Sequence, residues 1–274
     1  MTSSYPPQPP QPLHPTAPPA TPRRSCALPW VLVAVLTVVA VILGALLATR
    51  AGGTGAASQR FATPEEAIEF STEQVADGDA AAALTAWAGD TQAENLDLVG
   101  TLERLRAFLP SDTTSLPSDD AFFVELAKTT RTGTAADQYR RLTLSLLLPE
   151  EVDLDTTTIL EPGDVSAQDI ADALDSSRLA SLRAERIDRA DGPENAADHF
   201  AEMAALVGAD EAREYVVLYE WEGETYLGGV SVLRYGDEWS IAGLTATLAG
   251  TPFGTLEPTT TDDYEDLVAE LTES

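Results

Sequence analysis

The sequence predicts an α+β domain in which N-terminal helices pack on a curved antiparallel sheet, preceded by a disordered arm and one transmembrane helix. Three observations support this prediction. A proline-rich stretch at residues 1–26 and an uncharged apolar run at 27–49 come before any pattern that could form a globular core. Helical spacing of apolar residues then follows Thr63. From Tyr215 onward, apolar and polar residues alternate in segments separated by glycines, which indicates strands joined by tight turns.

Charge and cysteine content exclude several classes of protein. The 274 residues carry a formal net charge of −29, and Cys26 is the only cysteine. Residues 1–50 contain three arginines and no acidic residue, so the part that follows is still more negative. Such a surface repels the phosphates of nucleic acids, because few cations are present to displace counterions. One cysteine excludes an intrachain disulfide and a cysteine-based metal site, and we expect no metal, no cofactor and no nucleic-acid partner.

Residues 1–26 are expected to form a disordered or polyproline II arm. Ten of the 18 prolines lie within residues 1–29, and each removes a backbone donor and fixes φ. The arm is either a spacer or a docking segment for a partner that recognises proline-rich peptides.

Residues 27–49 are predicted to cross the cell membrane once. About 20 apolar residues span the hydrocarbon core of a bilayer, and this run has no charge. Trp30 falls at headgroup depth, and Arg23 and Arg24 precede the run, so these three residues are the predicted anchors. The positive-inside rule then places the N-terminus in the cytoplasm and the C-terminal part outside, on an uncleaved signal anchor. A signal peptide cleaved near residues 55–57 is the alternative.

Residues 50–60 are predicted to be a flexible linker, followed by an extracytoplasmic α+β domain at 61–250. Thr63, Pro64 and Glu66 fit the start of a helix, as N-cap, first helical residue and capping-box partner. After a break at Gly78 the helical pattern resumes, and a third helix is expected at residues 91–108.

The middle of the chain is predicted to contain two strands, at residues 122–126 and 142–148, because apolar side chains alternate there. Gly133 is placed in the connection between them. A capped helix near 166–174, a short strand near 182–188 and a helix at about 193–207 are expected to follow.

The last part of the domain is predicted to be an antiparallel meander. Its first strand places four aromatic and apolar side chains on one face, namely Tyr215, Val217, Tyr219 and Trp221. Residues 226–235 and 239–242 form the next two strands, with glycines in both turns. Residues 251–274 are an acidic C-terminal segment whose short helix, 262–272, either covers the sheet or binds another molecule.

Two motifs resemble the NTF2-like (cystatin-like cone) superfamily. Thr63-Pro64-Glu65-Glu66-Ala67, with the break at 76–79, is similar to its opening helices, and residues 232–241 are similar to its closing strands. The resemblance implies a cone-shaped sheet that serves either catalysis or noncatalytic binding. Residues 149–207 depart from the simple cone pattern, so an insertion, two related subdomains or a different α+β fold stay open. The order of arm, anchor and ectodomain resembles membrane-anchored envelope proteins of actinobacteria.

Noncatalytic binding outside the membrane is the function we expect, with a protein or a small molecule as the partner. Trp87, Tyr219, Trp221 and Trp239 are the candidate pocket residues, with core packing as the alternative interpretation.

Two other functions stay open. Histidine is the residue type most often used as a general base near neutral pH, and His199 has acidic neighbours, so it is the candidate general base of an envelope enzyme with a cone-shaped pocket. Alternatively, the chain is an accessory subunit of a membrane complex, in which the arm and anchor bind the partner.

Overall fold

Helices come first and a meander sheet follows in the computed structural model, which describes residues 58–106, 115–157 and 165–273. The helices are α1 (Pro64–Ala76), α2 (Ala80–Thr85), α3 (Gly89–Asn95), α4 (Leu98–Leu105), α5 (Ala121–Leu147), α6 (Ala167–Ala173), a 3₁₀ helix (Ser176–Ser181), α7 (Glu194–Leu206) and α8 (Thr261–Glu273). The strands are β1 (Arg183–Ala190), β2 (Glu211–Trp221), β3 (Glu224–Tyr235), β4 (Glu238–Gly243) and β5 (Glu257–Pro258). All of these elements belong to one compact unit.

The sheet is antiparallel throughout, with the strand order β1-β2-β3-β4, and β5 pairs with β3. The turn between β2 and β3 consists of Glu222 and Gly223, which both have positive φ, as a two-residue hairpin requires. Beyond β4, backbone hydrogen bonds join Phe61 and Ala88 to this strand, so the N-terminal segments cover its outer edge. Covering an edge in this way blocks pairing with another chain.

One face of the sheet packs against α1, α2 and α5, and this contact forms the main core. Tyr215, Val217, Tyr219 and Trp221 of β2 all point into it, as the sequence predicts. Helix α5 contributes Tyr139, Leu142 and Leu146 to the same core. Gln138 of α5 is also buried, and its Oε1 accepts a hydrogen bond of 2.6 Å from the backbone N–H of Leu244. This bond fixes the long helix against the segment that follows β4.

The opposite face of the sheet is covered by α8. Val216 and Leu218 of β2 point to this side and form a second core with Ala190, Tyr264 and Leu271. The C-terminal helix therefore packs on its own chain, which decides between the two roles that the sequence leaves open for it.

Several predicted elements are confirmed. Thr63 caps α1 by accepting a hydrogen bond from the N–H of Glu66, and Pro64 is its first residue. A reciprocal capping box between Ser166 and Asp169 begins α6. The short strand near 182–188, the helix at about 193–207 and the three strands of the meander are present as β1, α7, β2, β3 and β4.

The two strands predicted at 122–126 and 142–148 are wrong, because both segments lie in the single helix α5. Apolar residues at 142 and 146 fit a helix as well as a strand, since they are also four positions apart. The buried residues Ala135, Tyr139, Leu142 and Leu146 follow helical spacing, whereas Phe122 is exposed. Asp120 begins the helix by accepting a hydrogen bond from the N–H of Phe122.

The helix predicted at 91–108 is divided into α3 and α4. Leu96 is extended, and the carboxylate of Asp97 accepts a hydrogen bond from the N–H of Gly100, which starts a new helix there. The end of the predicted helix, after residue 106, lies outside the described residues.

The predicted fold class included a transmembrane helix, and this part of the prediction is corrected. In the ranges that the structure describes, no helix is both long enough and apolar enough to cross a membrane. The longest of them, α5, has 27 residues but carries charged side chains, including Lys128 and Arg140, and packs on the sheet. The apolar run at 27–49 and the arm at 1–26 lie outside the described residues. The fold class that the structure supports is helices packed on an antiparallel sheet.

Candidate functional site

An apolar groove opens between the end of α1, α2, the second half of α5 and the segment that joins α6 to the 3₁₀ helix. Its volume is about 360 Å³. The walls consist mainly of aliphatic side chains, namely Val75, Leu84, Leu144, Leu147, Leu174 and Leu179. Leu174 is 47% exposed, and Leu144, also in the lining, is partly exposed. The groove thus presents apolar surface to solvent at a concave site.

Tyr139 connects this groove to the main core. Its side chain lines the groove and also a small inner cavity of about 10 Å³. The hydroxyl donates to the carbonyl of Ala83 at 3.1 Å, so Ser71, at 2.5 Å, donates to the phenolic oxygen. Burial raises the pKa of Tyr139 to about 12, although the hydrogen bond from Ser71 opposes this shift. The phenol is therefore neutral near pH 7 and helps to hold α5 against α1 and α2.

Because of this shift, Tyr139 should make stability sensitive to alkaline pH. Its folded pKa lies above the ordinary value of 10.0, so its stabilising effect is complete below pH 10 and is lost as the pH rises towards about 12. Above pH 10 the free energy of unfolding should fall less steeply with pH in Tyr139→Phe than in the wild type. The difference between the two slopes is up to about 1.4 kcal/mol per pH unit. Urea unfolding at a series of alkaline pH values measures this slope. Tyr226→Phe, at a half-buried position, should change it less, and equal slopes in all three proteins would contradict the assignment.

Charged side chains flank the residues of the groove lining in the sequence. Asp77, Asp79, Asp137 and Asp175 are exposed, and each is next in sequence to a residue that lines it. Arg140 is the only charged residue in the described lining, and its guanidinium forms an ion pair with Asp137. Hydrogen bonding to Arg140 lowers the pKa of Asp137, so this carboxylate stays ionised at neutral pH. Arg178, next to Leu179 of the lining, interacts with Asp175, so arginines offset part of the charge of these aspartates.

The four aromatic residues predicted to line a pocket are placed in the main core. Trp87, Tyr219, Trp221 and Trp239 are all at least 94% buried. Trp87 packs edge-on against Tyr139, with ring centroids 5.6 Å apart. Tyr219 lines the small inner cavity, and burial raises the pKa of its phenol.

The other two tryptophans of this set are held by arginines. The indole N–H of Trp221 donates to the carbonyl of Arg178 at 2.9 Å, and the Arg178 guanidinium lies 5.0 Å from the ring centroid. Arg213 lies 4.6 Å from the ring centroid of Trp239. The four aromatic side chains pack in the main core, and the small inner cavity has room for about one water molecule.

His199 lies on the exposed side of α7, apart from the residues that line the groove. Its Nδ1 is 3.3 Å from a guanidinium nitrogen of Arg104, and Arg104 also lies 3.7 Å from the carboxylate of Glu202. Because a guanidinium can only donate, Nδ1 acts as the acceptor. The histidine and its acidic neighbours thus belong to a surface cluster with Arg104.

Two further predictions from the sequence concern metal binding and membrane anchoring. Within residues 58–106, 115–157 and 165–273, no group of three His, Cys, Asp or Glu side chains is placed to hold a metal ion. The predicted membrane anchors Arg23, Arg24 and Trp30 lie outside the described residues.

Sequence analysis missed the groove. A signal was present in α5, where Ala136, Tyr139, Thr143 and Leu147 recur at helical spacing and line one wall. This stripe is hidden when the segment 142–148 is interpreted as a strand.

Comparison with known proteins supports the fold. A solved structure of a cystatin-like protein from Ruminococcus gnavus ATCC 29149 is similar, with a TM-score of 0.50 and 18% sequence identity. The match covers 72% of this chain and 44% of that protein, so the present chain spans less than half the length of its structural neighbour. This similarity supports the cystatin-like, NTF2-like fold predicted from the sequence motifs, and at this identity it concerns the fold alone. No protein-family model and no curated protein matches the chain.

Proposed function

We propose that this chain is a noncatalytic binding module that holds an apolar ligand in the groove between α1, α2 and α5. The observation that carries the proposal is a concave apolar site of about 360 Å³ whose described lining includes no Asp, Glu, His or Cys. Pockets that bind small molecules have volumes of roughly 300–1,000 Å³ and are lined mainly by hydrophobic side chains. A ligand that covers the exposed parts of Leu144 and Leu174 gains affinity from the apolar surface removed from water.

The catalytic alternative has less support. General acid–base catalysis requires a titratable group within hydrogen-bonding reach of the substrate. His199 is exposed and lies outside the groove lining, and the Tyr139 hydroxyl is engaged with Ser71 and Ala83. The position of the module outside a membrane stays a prediction from the sequence.

Filling the groove should weaken binding. In the full chain, titration with N-phenyl-1-naphthylamine, an uncharged dye that fluoresces in apolar surroundings, measures occupancy. We expect Leu144→Trp to weaken dye binding by at least about tenfold, because the indole occupies space that the dye needs. Leu126→Trp is the matched control, since Leu126 is on the same helix but outside the groove, and it should bind as the wild type does.

A second variant guards against a folding defect. Ala136 is exposed at the groove wall, so Ala136→Trp fills the groove without replacing a core side chain. Wild-type dye affinity in both filled variants, with unchanged unfolding midpoints, would overturn the proposed function. The Leu126→Trp control shows whether an added tryptophan on α5 changes dye binding when it lies outside the groove.

A further inference from the structure

A second cavity, with a volume of about 170 Å³, lies between α7 and the strands β1 and β2. Helix α7 contributes Ala197, Phe200 and Ala201 to its wall, and β2 contributes Glu214. Among the described residues, none lines both this cavity and the groove. Pockets for drug-sized ligands have volumes of roughly 300 Å³ or more, so this space suits a group of only a few heavy atoms.

The carboxylate of Glu214 is buried in the wall of this cavity. Only 4% of the residue is exposed, and Oε2 accepts a hydrogen bond of 2.9 Å from the backbone N–H of Leu248. In the part of the chain that the structure describes, Oε1 accepts no hydrogen bond and no cationic side chain forms an ion pair with Glu214. A buried carboxylate without a cationic partner is unfavourable, so it favours a cation that enters the cavity.

The two arginines of the cavity wall have acidic partners of their own. Nε of Arg189 lies 2.7 Å from the carboxylate of Asp191, and Nε of Arg213 lies 2.5 Å from that of Glu211. The charges within each pair offset one another. The charge of Glu214 therefore stays uncompensated within the wall.

The strand register places Glu214 on the opposite face of the sheet from these arginines. Residues that pair across neighbouring antiparallel strands lie on the same face. Arg189 pairs with Tyr215, which points into the main core, whereas Glu214 pairs with Ala190 of the second core. Arg213 precedes Glu214 in β2, so its side chain lies on the other face as well. Neither arginine is placed to neutralise the buried carboxylate.

The rest of the wall favours an organic cation over a metal ion. Its apolar part consists of four alanines and Phe200. The described residues include no group of three His, Cys, Asp or Glu side chains placed to hold a metal. An alkylammonium ion matches both parts of the wall, since its charge meets Glu214 and its carbon chain meets the alanines.

We propose that this cavity binds the ammonium group of a small aliphatic amine through an ion pair with Glu214. An ammonium group has three donors and no acceptor, so it can donate to Oε1. Asp210, another residue of the wall, forms no ion pair among the described residues and adds to the negative charge. The site is separate from the groove, so this proposal does not depend on the proposed function.

Titration of the full chain with propylammonium chloride, followed by amide NMR, tests the site. We expect saturable shifts at the amides of Leu248, whose N–H binds Glu214, and of Ala212, which lines the cavity. Propan-1-ol has the same chain length without the charge and should need a concentration at least tenfold higher. Sodium chloride at the same ionic strength should cause no saturable shift at these amides.

A matched set of variants separates the buried charge from the negative charge of the whole chain. Glu214→Gln removes the charge but keeps an oxygen that accepts from Leu248, and we expect it to weaken propylammonium binding at least tenfold. Glu224→Gln, at the exposed start of β3, changes the net charge equally and should bind as the wild type does. Ala201→Leu fills the cavity from an exposed position, keeps Glu214 and should also weaken binding at least tenfold.

Nα-acetyl-lysine methylamide distinguishes two sources of the ammonium group. If it binds as propylammonium does, the site accepts a lysine side chain of another protein, and if only propylammonium binds, the ligand is a free amine. Both results support the site. Wild-type affinity in Glu214→Gln and Ala201→Leu, with unchanged unfolding midpoints, would overturn it. Equal weakening by Glu214→Gln and Glu224→Gln would also overturn it, because the attraction would then come from the net charge.

Discussion

Gly229→Ala is expected to lower the free energy of unfolding by about 3 kcal/mol or more. Gly229 lies in β3 opposite Val216, and the segment after β4 crosses directly over it. A Cβ at this position would lie 2.1 Å from the Thr251 hydroxyl oxygen and 2.3 Å from the backbone nitrogen of Ala246. These two atoms are themselves joined by a hydrogen bond of 2.7 Å, so the added methyl group forces the backbone apart. Urea unfolding, followed by circular dichroism, measures the loss.

Gly133→Ala is the control for this substitution, and it should act in the opposite direction. Gly133 lies inside α5, and a Cβ there has no atom within 4 Å. Alanine in the middle of an exposed helix is more favourable than glycine by roughly 0.5–1 kcal/mol. A stabilising Gly133→Ala supports the single helix α5, whereas equal destabilisation by both substitutions would contradict the packing described around Gly229.

Tyr264→Ala should also destabilise the protein strongly, by about 3–5 kcal/mol. Tyr264 is fully buried between α8 and β2, and its hydroxyl lies 2.9 Å from the Asp188 carboxylate and 3.0 Å from the carbonyl oxygen of Val216. The guanidinium of Arg186 lies 5.0 Å from the ring centroid. Substitution removes this packing and leaves a cavity above Val216, which shifts the midpoint of urea unfolding to lower concentration.

Asp266→Ala is the matched control on the same helix, since Asp266 is exposed and surface substitutions usually change stability by less than about 0.5 kcal/mol. If α8 bound another molecule instead of its own sheet, Tyr264→Ala in the isolated protein would be as mild as Asp266→Ala. That result would contradict the second core.

The meander could be predicted from the sequence because two independent signals agree there. The alternation from Tyr215 to Trp221 gives the strand period, and glycines occur where the hairpins need positive φ, as at Gly223 and Gly236. The covered edge of β4 could not be predicted, because its partners Phe61 and Ala88 lie far away in sequence.

The long helix α5 could not be predicted from the sequence, for a different reason. Leu142 and Leu146 fit both periods, and Gly133 resembles a turn residue although it is only an exposed helical position. Burial decides between the two interpretations, and burial depends on the rest of the fold.

The groove depends on the packing of three segments that are far apart in the chain. Val75, Leu144 and Leu174 are unremarkable in their local sequence and form a site only when α1, α5 and the end of α6 approach one another. Aromatic residues, by contrast, are easily singled out in a sequence as candidates for a pocket. In this protein Trp87, Trp221 and Trp239 fill the core instead of lining the groove.

Methyl NMR during a titration with N-phenyl-1-naphthylamine tests the central claim most directly, because it locates the bound dye. With leucine and valine methyl groups labelled in the full chain, we expect saturable shifts at Leu144, Leu174 and Leu179, which line the groove. The methyl groups of Val216 and Leu218, beneath α8 on the other face of the sheet, should not move. Saturable shifts confined to the second core, or none at the three groove leucines, would contradict the account.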